Sequence, residues 1–130
     1  MKSVLVVDDE AHVRRVTKHF LEHSGYHVET ACDGQEALEI VMSGDFDALV
    51  IDLLMPRMGG HELCQEIEAR IPDRKFFILI TTSSTEDEHR EWAQDLPRSE
   101  FLEKPISLRK LLNRLDHHLG RGRPAEGGER

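Results

Sequence analysis

Cysteine is scarce: Cys32 and Cys64 are the only two in 130 residues, and they fall in different predicted elements without metal-type spacing. Neither a disulfide framework nor a zinc site organises this chain. Long apolar runs are missing as well. Nowhere do about 18 apolar residues follow one another, and the start Met1-Lys2-Ser3 leads through one short apolar run to Asp8, which is not the pattern of a signal peptide. A soluble, cytoplasmic protein without a membrane partner is expected. Positive charge is the minority: 17 Lys and Arg against 25 Asp and Glu leave a net charge of −8, which disfavours direct nucleic-acid binding. Internal repeats of solenoid length are absent too.

The length and the 38% apolar content fit one domain with a real core. Residues 1–120 are predicted to form it. The last ten residues, 121–130, contain three Gly, Pro124 and no apolar residue beyond Ala125, and are expected to be a flexible tail.

Short apolar runs bounded by turn residues recur at Val4 to Val7, Val28 to Ala31, Ala48 to Ile51, Phe76 to Ile80 and, more weakly, Phe101-Leu102. They read as strands. Between them apolar residues return at helical spacing: Val13, Val16 and Phe20; Ala37, Ile40 and Val41; Leu63 and Ile67; and Leu108, Leu111, Leu112, Leu115 and Leu119. A fourth helix is placed at roughly Glu86 to Leu96, where apolar positions are sparse. Gly25 and Gly44 sit where helix ends favour positive φ, and Ser107 is an N-cap candidate. Strands alternating with helices imply βαβ crossovers. The fold class is therefore α/β, a doubly wound (βα)5 five-stranded parallel sheet of flavodoxin-like topology.

In such a sheet ligands bind beyond the carboxyl ends of the strands. Asp8, Asp9 and Glu10 follow the first strand, Asp52 the third, Thr81 and Thr82 the fourth, and Lys104-Pro105 the fifth. Crowded carboxylates raise one another's pKa unless a cation intervenes. A set of few, all-oxygen ligands suits Mg²⁺ better than Ca²⁺. A carboxylate beside Mg²⁺ and a lysine is a reasonable nucleophile toward a phosphoryl group, with Thr81 donating a hydrogen bond. Each residue alone has a plain reading: Asp8-Asp9 as a turn and N-cap, Asp52 as an N-cap, Lys104 as a solvated surface lysine. Their joint placement at separate strand ends argues against those readings.

The ordered set V-L-V-V-D-D-E at 4–10, D-L-L-M-P-R-M-G-G at 52–60, I-L-I-T-T-S-S at 78–84 and F-L-E-K-P at 101–105 resembles the receiver domain of two-component response regulators, from about Lys2 to Gly120. The resemblance implies that Asp52 accepts a phosphoryl group from a phosphohistidine on a sensor histidine kinase or phosphotransfer protein. It implies a Mg²⁺ ion held by Asp9, Asp52 and the Leu54 backbone carbonyl, with Asp8 partly through water. Lys104 would pair with the phosphoryl group, and the Lys104-Pro105 bond would be cis. The switch hydroxyl maps to Thr81 or Thr82, with Thr81 preferred because Phe77 to Ile80 supply the apolar strand residues before it. Phe101 falls at an aromatic position whose ring turns inward when that hydroxyl moves, or else is a static core residue. A downstream protein would read the fourth helix, fifth strand and fifth helix, and homodimerisation stays open.

Three departures from the family pattern stand out. Gly59 replaces a frequent Asp, which removes a side-chain cap and loosens the loop after Asp52. Asp95-Leu96-Pro97-Arg98-Ser99 replaces a Gly-Ala turn. Thr82 stands where a smaller residue is usual, so it is expected to slow access to the aspartyl phosphate.

A phosphohydrolase using Asp52 is the enzyme alternative. Such enzymes need a general acid two residues on, where this chain has Leu54, so a signalling module that assists its own phosphorylation and dephosphorylation is expected rather than a turnover enzyme. An unphosphorylated scaffold is disfavoured by the intact acids, and flavin binding by an acidic first loop. The eight histidines raise phosphotransfer or metal binding, and His19 and His23 share a helix face at i,i+4 spacing; without a nearby carboxylate or Cys pattern, solvated surface is the expected role. Trp92, the only tryptophan, is read equally as partner surface or core anchor, and Cys64 as a small buried apolar residue.

Overall fold

The computed structural model describes residues 1–83, 91–92 and 94–120. In chain order the elements are β1 (Ser3–Val7), α1 (Ala11–His23), β2 (His27–Ala31), α2 (Gly34–Ser43), β3 (Ala48–Asp52), α3 (Gly60–Arg70), β4 (Phe77–Thr82), β5 (Ser99–Glu103) and α4 (Leu108–His118). The last of these is the helix expected as the fifth. Most of the helix expected over 86–96 lies outside the described residues, although Glu91, Trp92 and Gln94 are helical. The predicted tail 121–130 also lies outside them.

All pairings are parallel, in the order β2-β1-β3-β4-β5. Successive side chains of a strand point to opposite faces, and the central strands are apolar on both. Leu5, Val7, Leu49, Ile51, Ile78 and Ile80 pack with Ala37, Leu38, Leu63, Cys64 and Ile67 from α2 and α3. Val4, Val6, Val50, Phe77 and Leu79 pack on the other face with Leu21 of α1 and Leu111, Leu112 and Leu115 of α4. Two covered faces explain why these strands read as continuous apolar runs rather than alternating ones. Each fully buried Leu or Ile adds roughly 1.5–3 kcal/mol relative to leaving it exposed. Cys64 is one of these core residues, and burial pushes its thiol up to about 12.

Local chemistry sets the element ends. Ser107 accepts a hydrogen bond from the Lys110 N–H at 3.0 Å, as its N-cap position predicts. Gly25 has φ 99°, the left-handed value expected of it. Gly44 does not: its φ of −116° is extended, because the chain leaves α2 directly toward β3 without a left-handed turn.

Another correction concerns β4, which runs through Thr82 rather than ending at Ile80. Both threonines are therefore buried strand residues, with Thr82 fully enclosed. Their backbones pair with β5, so the strand continues as long as its partner does. Thr82 stands one residue beyond the register position of Asp52.

The unusual 95–99 stretch has its own device. Arg74, almost wholly buried, donates to Glu68 Oε2 at 2.6 Å, to the Phe76 carbonyl at 2.6 Å and to the Pro97 carbonyl. Arg98 adopts φ 52°, and Ser99 Oγ donates to the Leu96 carbonyl at 2.7 Å. A buried cation must find such partners to offset its lost hydration. It fixes the entry into β5.

Candidate functional site

At the carboxyl ends of the strands, β1 delivers Asp8 and Asp9, β3 delivers Asp52, and the turn after β5 delivers Lys104. The Asp8 N–H donates to the Ala31 carbonyl at 3.1 Å, which extends the β1–β2 pairing by one residue. Asp8 Oδ1 accepts from the Glu10 N–H at 2.9 Å, and its carbonyl accepts from Arg14 at 2.7 Å. Asp8 is buried while Asp9 is exposed. Carboxylate oxygens of Asp8, Asp9 and Asp52 all lie within 4.8 Å of one another. Opposite them, Lys104 Nζ stands 3.3 Å from Asp52 Oδ1.

The electrostatics follow from that crowding. Burial, opposed by Lys104 and helped by Asp8 and Asp9, pushes the Asp52 carboxyl from 3.8 up to about 6. Burial likewise raises Asp8, against its backbone hydrogen bond and the charge of Lys104. One lysine does not balance three acids. The donor set is all oxygen, small in number and short of positive charge, and that fits Mg²⁺, which keeps several waters and accepts carboxylates plus phosphate oxygens. Asp8, Asp9 and Asp52 are the residues that could hold it.

The loop after Asp52 is held from below. The Leu53 N–H donates to the Thr81 carbonyl and the Gly60 N–H to the Leu53 carbonyl, each at 2.8 Å. A Cβ at Gly60 would stand 2.8 Å from Leu53 Cα, so only glycine lets α3 start this close to β3. Arg57, at φ 63°, is clamped by an ion pair of 2.6 Å to Asp33, which also caps α2 by accepting from the Glu36 N–H. That hydrogen bond, with Arg57, holds the Asp33 carboxyl below the usual carboxylate range. Gly59 provides no side-chain cap to α3, as expected. Looseness does not follow, because the Arg57–Asp33 pair, together with the Gly34 N–H donating to the Met58 carbonyl at 3.0 Å, ties the loop to α2. Leu54 stays 53% exposed in this loop. The clamp escaped sequence reasoning; the N-cap pattern Asp33-x-x-Glu36 was its only local signal.

Thr81 and Thr82 part company. Thr81 occupies the register position of Asp52 and lines, with Asp8, Asp52, Lys104 and Val50, a cavity of about 290 Å³. Thr82 follows Ile78 and Ile80 at period two and so lies on the α2–α3 side of the sheet. Phe101 packs on that same side, with Trp92. Thr81 therefore lies on the opposite side of the sheet from Phe101. Lys104 N–H donates to the Thr82 carbonyl at 2.7 Å, and the Lys104-Pro105 bond is cis.

The histidines are not uniformly solvated. His118 Nε2 is 2.7 Å from Glu100 Oε1, and its ring stacks on Phe77 with centroids 3.8 Å apart. His61 stacks on Trp92 at 4.1 Å, which makes Trp92 part of the packed α3 side. Packing of the helices on their neighbours brought these partners together, and no local spacing announced it.

A family model for the response regulator receiver domain matches residues 4–116. The response regulator MprA of Mycobacterium bovis is 36% identical over 126 residues, covering 97% of this chain and 54% of that protein. The chain thus spans about half the length of the curated relatives it matches. Among solved structures, the Vibrio cholerae chemotaxis protein CheY4 is 33% identical with a TM-score of 0.82, covering 90% of this chain and 98% of that one. The response regulator TrrA from Thermotoga maritima, solved in complex with Mg²⁺-BeF, is 29% identical with a TM-score of 0.78, covering 91% of this chain and 99% of that one.

Proposed function

This chain belongs to the response regulator receiver domain family, with a phosphoacceptor role in two-component signalling, and on that premise we propose that Asp52 is its acceptor. The observation that carries this reading is Lys104 Nζ at 3.3 Å from an Asp52 oxygen inside a cluster of three carboxylates. An Asp52 oxygen forms a bond to phosphorus while the P–N bond to the donor imidazole breaks, and the imidazole leaves with that electron pair and takes up a proton. Asp8, Asp9 and Asp52 would hold Mg²⁺, with the Leu54 carbonyl as the family resemblance implies. When bound, Mg²⁺ supplies positive charge to the transferring oxygens and relieves the repulsion among the acids. Lys104 then pairs with the new phosphoryl group.

Phosphorylation adds about two negative charges and three acceptor oxygens at Asp52. Lys104 and a threonine hydroxyl are drawn toward them. Thr82 serves as the hydroxyl that couples to Phe101, because the two share one side of the sheet, while Thr81 lines the cavity beside Asp52. Moving Thr82 frees space for the Phe101 ring and reshapes the surface around Trp92, β5 and α4, where a downstream protein reads the change as a difference in affinity. The donor is a sensor histidine kinase or phosphotransfer protein in the cytoplasm. Leu54, two residues past the nucleophile, offers no proton for ester hydrolysis, so the domain works as a signalling module rather than a turnover enzyme. Among the described residues no helix is long and apolar enough to cross a membrane.

Incubation with Mg²⁺ and a small acyl phosphate should add one phosphoryl group by intact mass, and Asp52→Asn should abolish it. Equal incorporation into that variant would remove Asp52 from the role.

A further inference from the structure

Outside the acidic cradle, helix α1 carries a second set of metal-ligating side chains. His19 and His23 are four residues apart, and their ring centroids lie 4.3 Å apart at 52°. Both are exposed, on a regular helix of 13 residues. They border an open groove with His12, Arg15, Phe20 and Leu108. We propose that His19 and His23 form a two-imidazole chelate for a borderline divalent transition-metal ion such as Ni²⁺ or Zn²⁺, separate from the oxygen cradle.

The geometry and the donor chemistry both favour it. Residues four apart on a helix face one another across one turn. A tetrahedral ion with metal–nitrogen bonds of about 2.0–2.1 Å needs ligand nitrogens about 3.3 Å apart, and rings in contact at this centroid distance reach that by small rotations about exposed side-chain bonds. No described residue hydrogen-bonds either ring, so no protein partner has to be displaced. Imidazole prefers Zn²⁺, Ni²⁺ and Cu²⁺, whereas carboxylate and water prefer Mg²⁺, so the two sites sort ions by ligand type. His12 is not a third ligand: seven residues at 1.5 Å rise separate it from His19 by about 10 Å along the axis. Two nitrogens leave the remaining coordination positions open. The ion is thus presented on the surface and staples successive turns of α1, which stabilises the folded chain by linkage.

The test is a Ni²⁺ titration of the full chain in excess Mg²⁺, which keeps the acidic cradle occupied, followed by NMR. Paramagnetic broadening should start at α1 residues around His19 and His23. Groups that only orient a ligand are worth about 10–100-fold in metal affinity, so removing a ligand itself in His19→Ala or His23→Ala should weaken binding about tenfold or more, while His12→Ala leaves it unchanged. Zn²⁺ should raise the melting temperature of the wild type and of His12→Ala, and not that of the H19A/H23A double variant; because the sites are exposed, the variants' own melting curves report whether they fold. Broadening centred on Asp9 and Asp52 or on His118, or a Zn²⁺ effect that survives the double substitution, overturns the proposal.

Discussion

Thr82 and Phe101 lie on one side of the sheet, while Thr81, one residue earlier, lies on the other with Asp52 and Lys104. Counting apolar residues before the hydroxyl favours Thr81; the pleat favours Thr82 as the residue able to move Phe101. The two can be separated because Trp92, the sole tryptophan, packs on the Phe101 side. With Mg²⁺ and beryllofluoride, wild-type Trp92 fluorescence should change. Thr82→Ala should abolish most of that change while retaining beryllofluoride binding, and Thr81→Ala should preserve it. A Thr82→Ala protein with a full fluorescence response would remove Thr82 from the switch.

Asp52 makes the metal-free fold sensitive to pH. Its carboxyl rises from 3.8 to about 6 on folding, so between those values the native state binds more protons than the unfolded chain. Stability through this group therefore falls as pH rises from about 4 to about 6 and stays lowered above that. Without Mg²⁺ at pH 7.5, Asp52→Asn should be more stable than wild type by roughly 1–3 kcal/mol, the upper figure corresponding to about 1.4 kcal/mol per pKa unit. Added Mg²⁺ should restore the wild type by about 2.7 kcal/mol at a hundredfold excess over Kd. Urea melts with and without EDTA measure both; a less stable Asp52→Asn protein would contradict the crowding argument.

Lys104 competes with a cation for the same carboxylate. Its ammonium sits 3.3 Å from Asp52, so Lys104→Met removes positive charge from the cradle and should tighten Mg²⁺ binding to the unphosphorylated protein by roughly threefold to tenfold, on the order of 1 kcal/mol for one partly screened charge. The same substitution should weaken the beryllofluoride response, because the new anion loses its partner. Calorimetric titration of Mg²⁺ reads the first effect and Trp92 fluorescence the second. Weaker Mg²⁺ binding in Lys104→Met would show that Lys104 organises the acids rather than competing for them.

Arg74 should matter to stability more than any surface charge. Removing one partner of a buried ion pair costs about 3–5 kcal/mol, and here Glu68 is partly exposed, so Arg74→Ala should cost roughly 2–4 kcal/mol in urea denaturation. The carbonyls of Phe76 and Pro97 lose their donor in the same step. A cost under about 0.5 kcal/mol, the range of an ordinary surface substitution, would mean that the 95–99 stretch holds itself.

Much of the architecture was legible because it depends on local periodicity. Val4 to Val7 and Ile78 to Ile80 announce doubly buried strands, and Leu111, Leu112 and Leu115 announce a helix face. Strand ends were less so: β4 runs on to Thr82, since pairing with β5 sustains it where apolar patterning stops. Gly44 missed its expected left-handed turn for the same kind of reason, the direction of the next strand.

The candidate acids were visible as residues at strand ends, and the order of motifs tied them to one family. Their convergence was expected from the strand ends and is found, with Lys104 beside them; the Arg57–Asp33 clamp, the buried Arg74 and the His118–Glu100 contact were not visible. What the sequence alone determined is the set of elements and the chemistry each strand end carries, because those follow from neighbours along the chain. Which threonine faces Phe101, which cation meets which carboxylate and how far Asp52 is pushed from its ordinary pKa were decided by the tertiary structure, since register, pleat and burial arise only when distant segments pack.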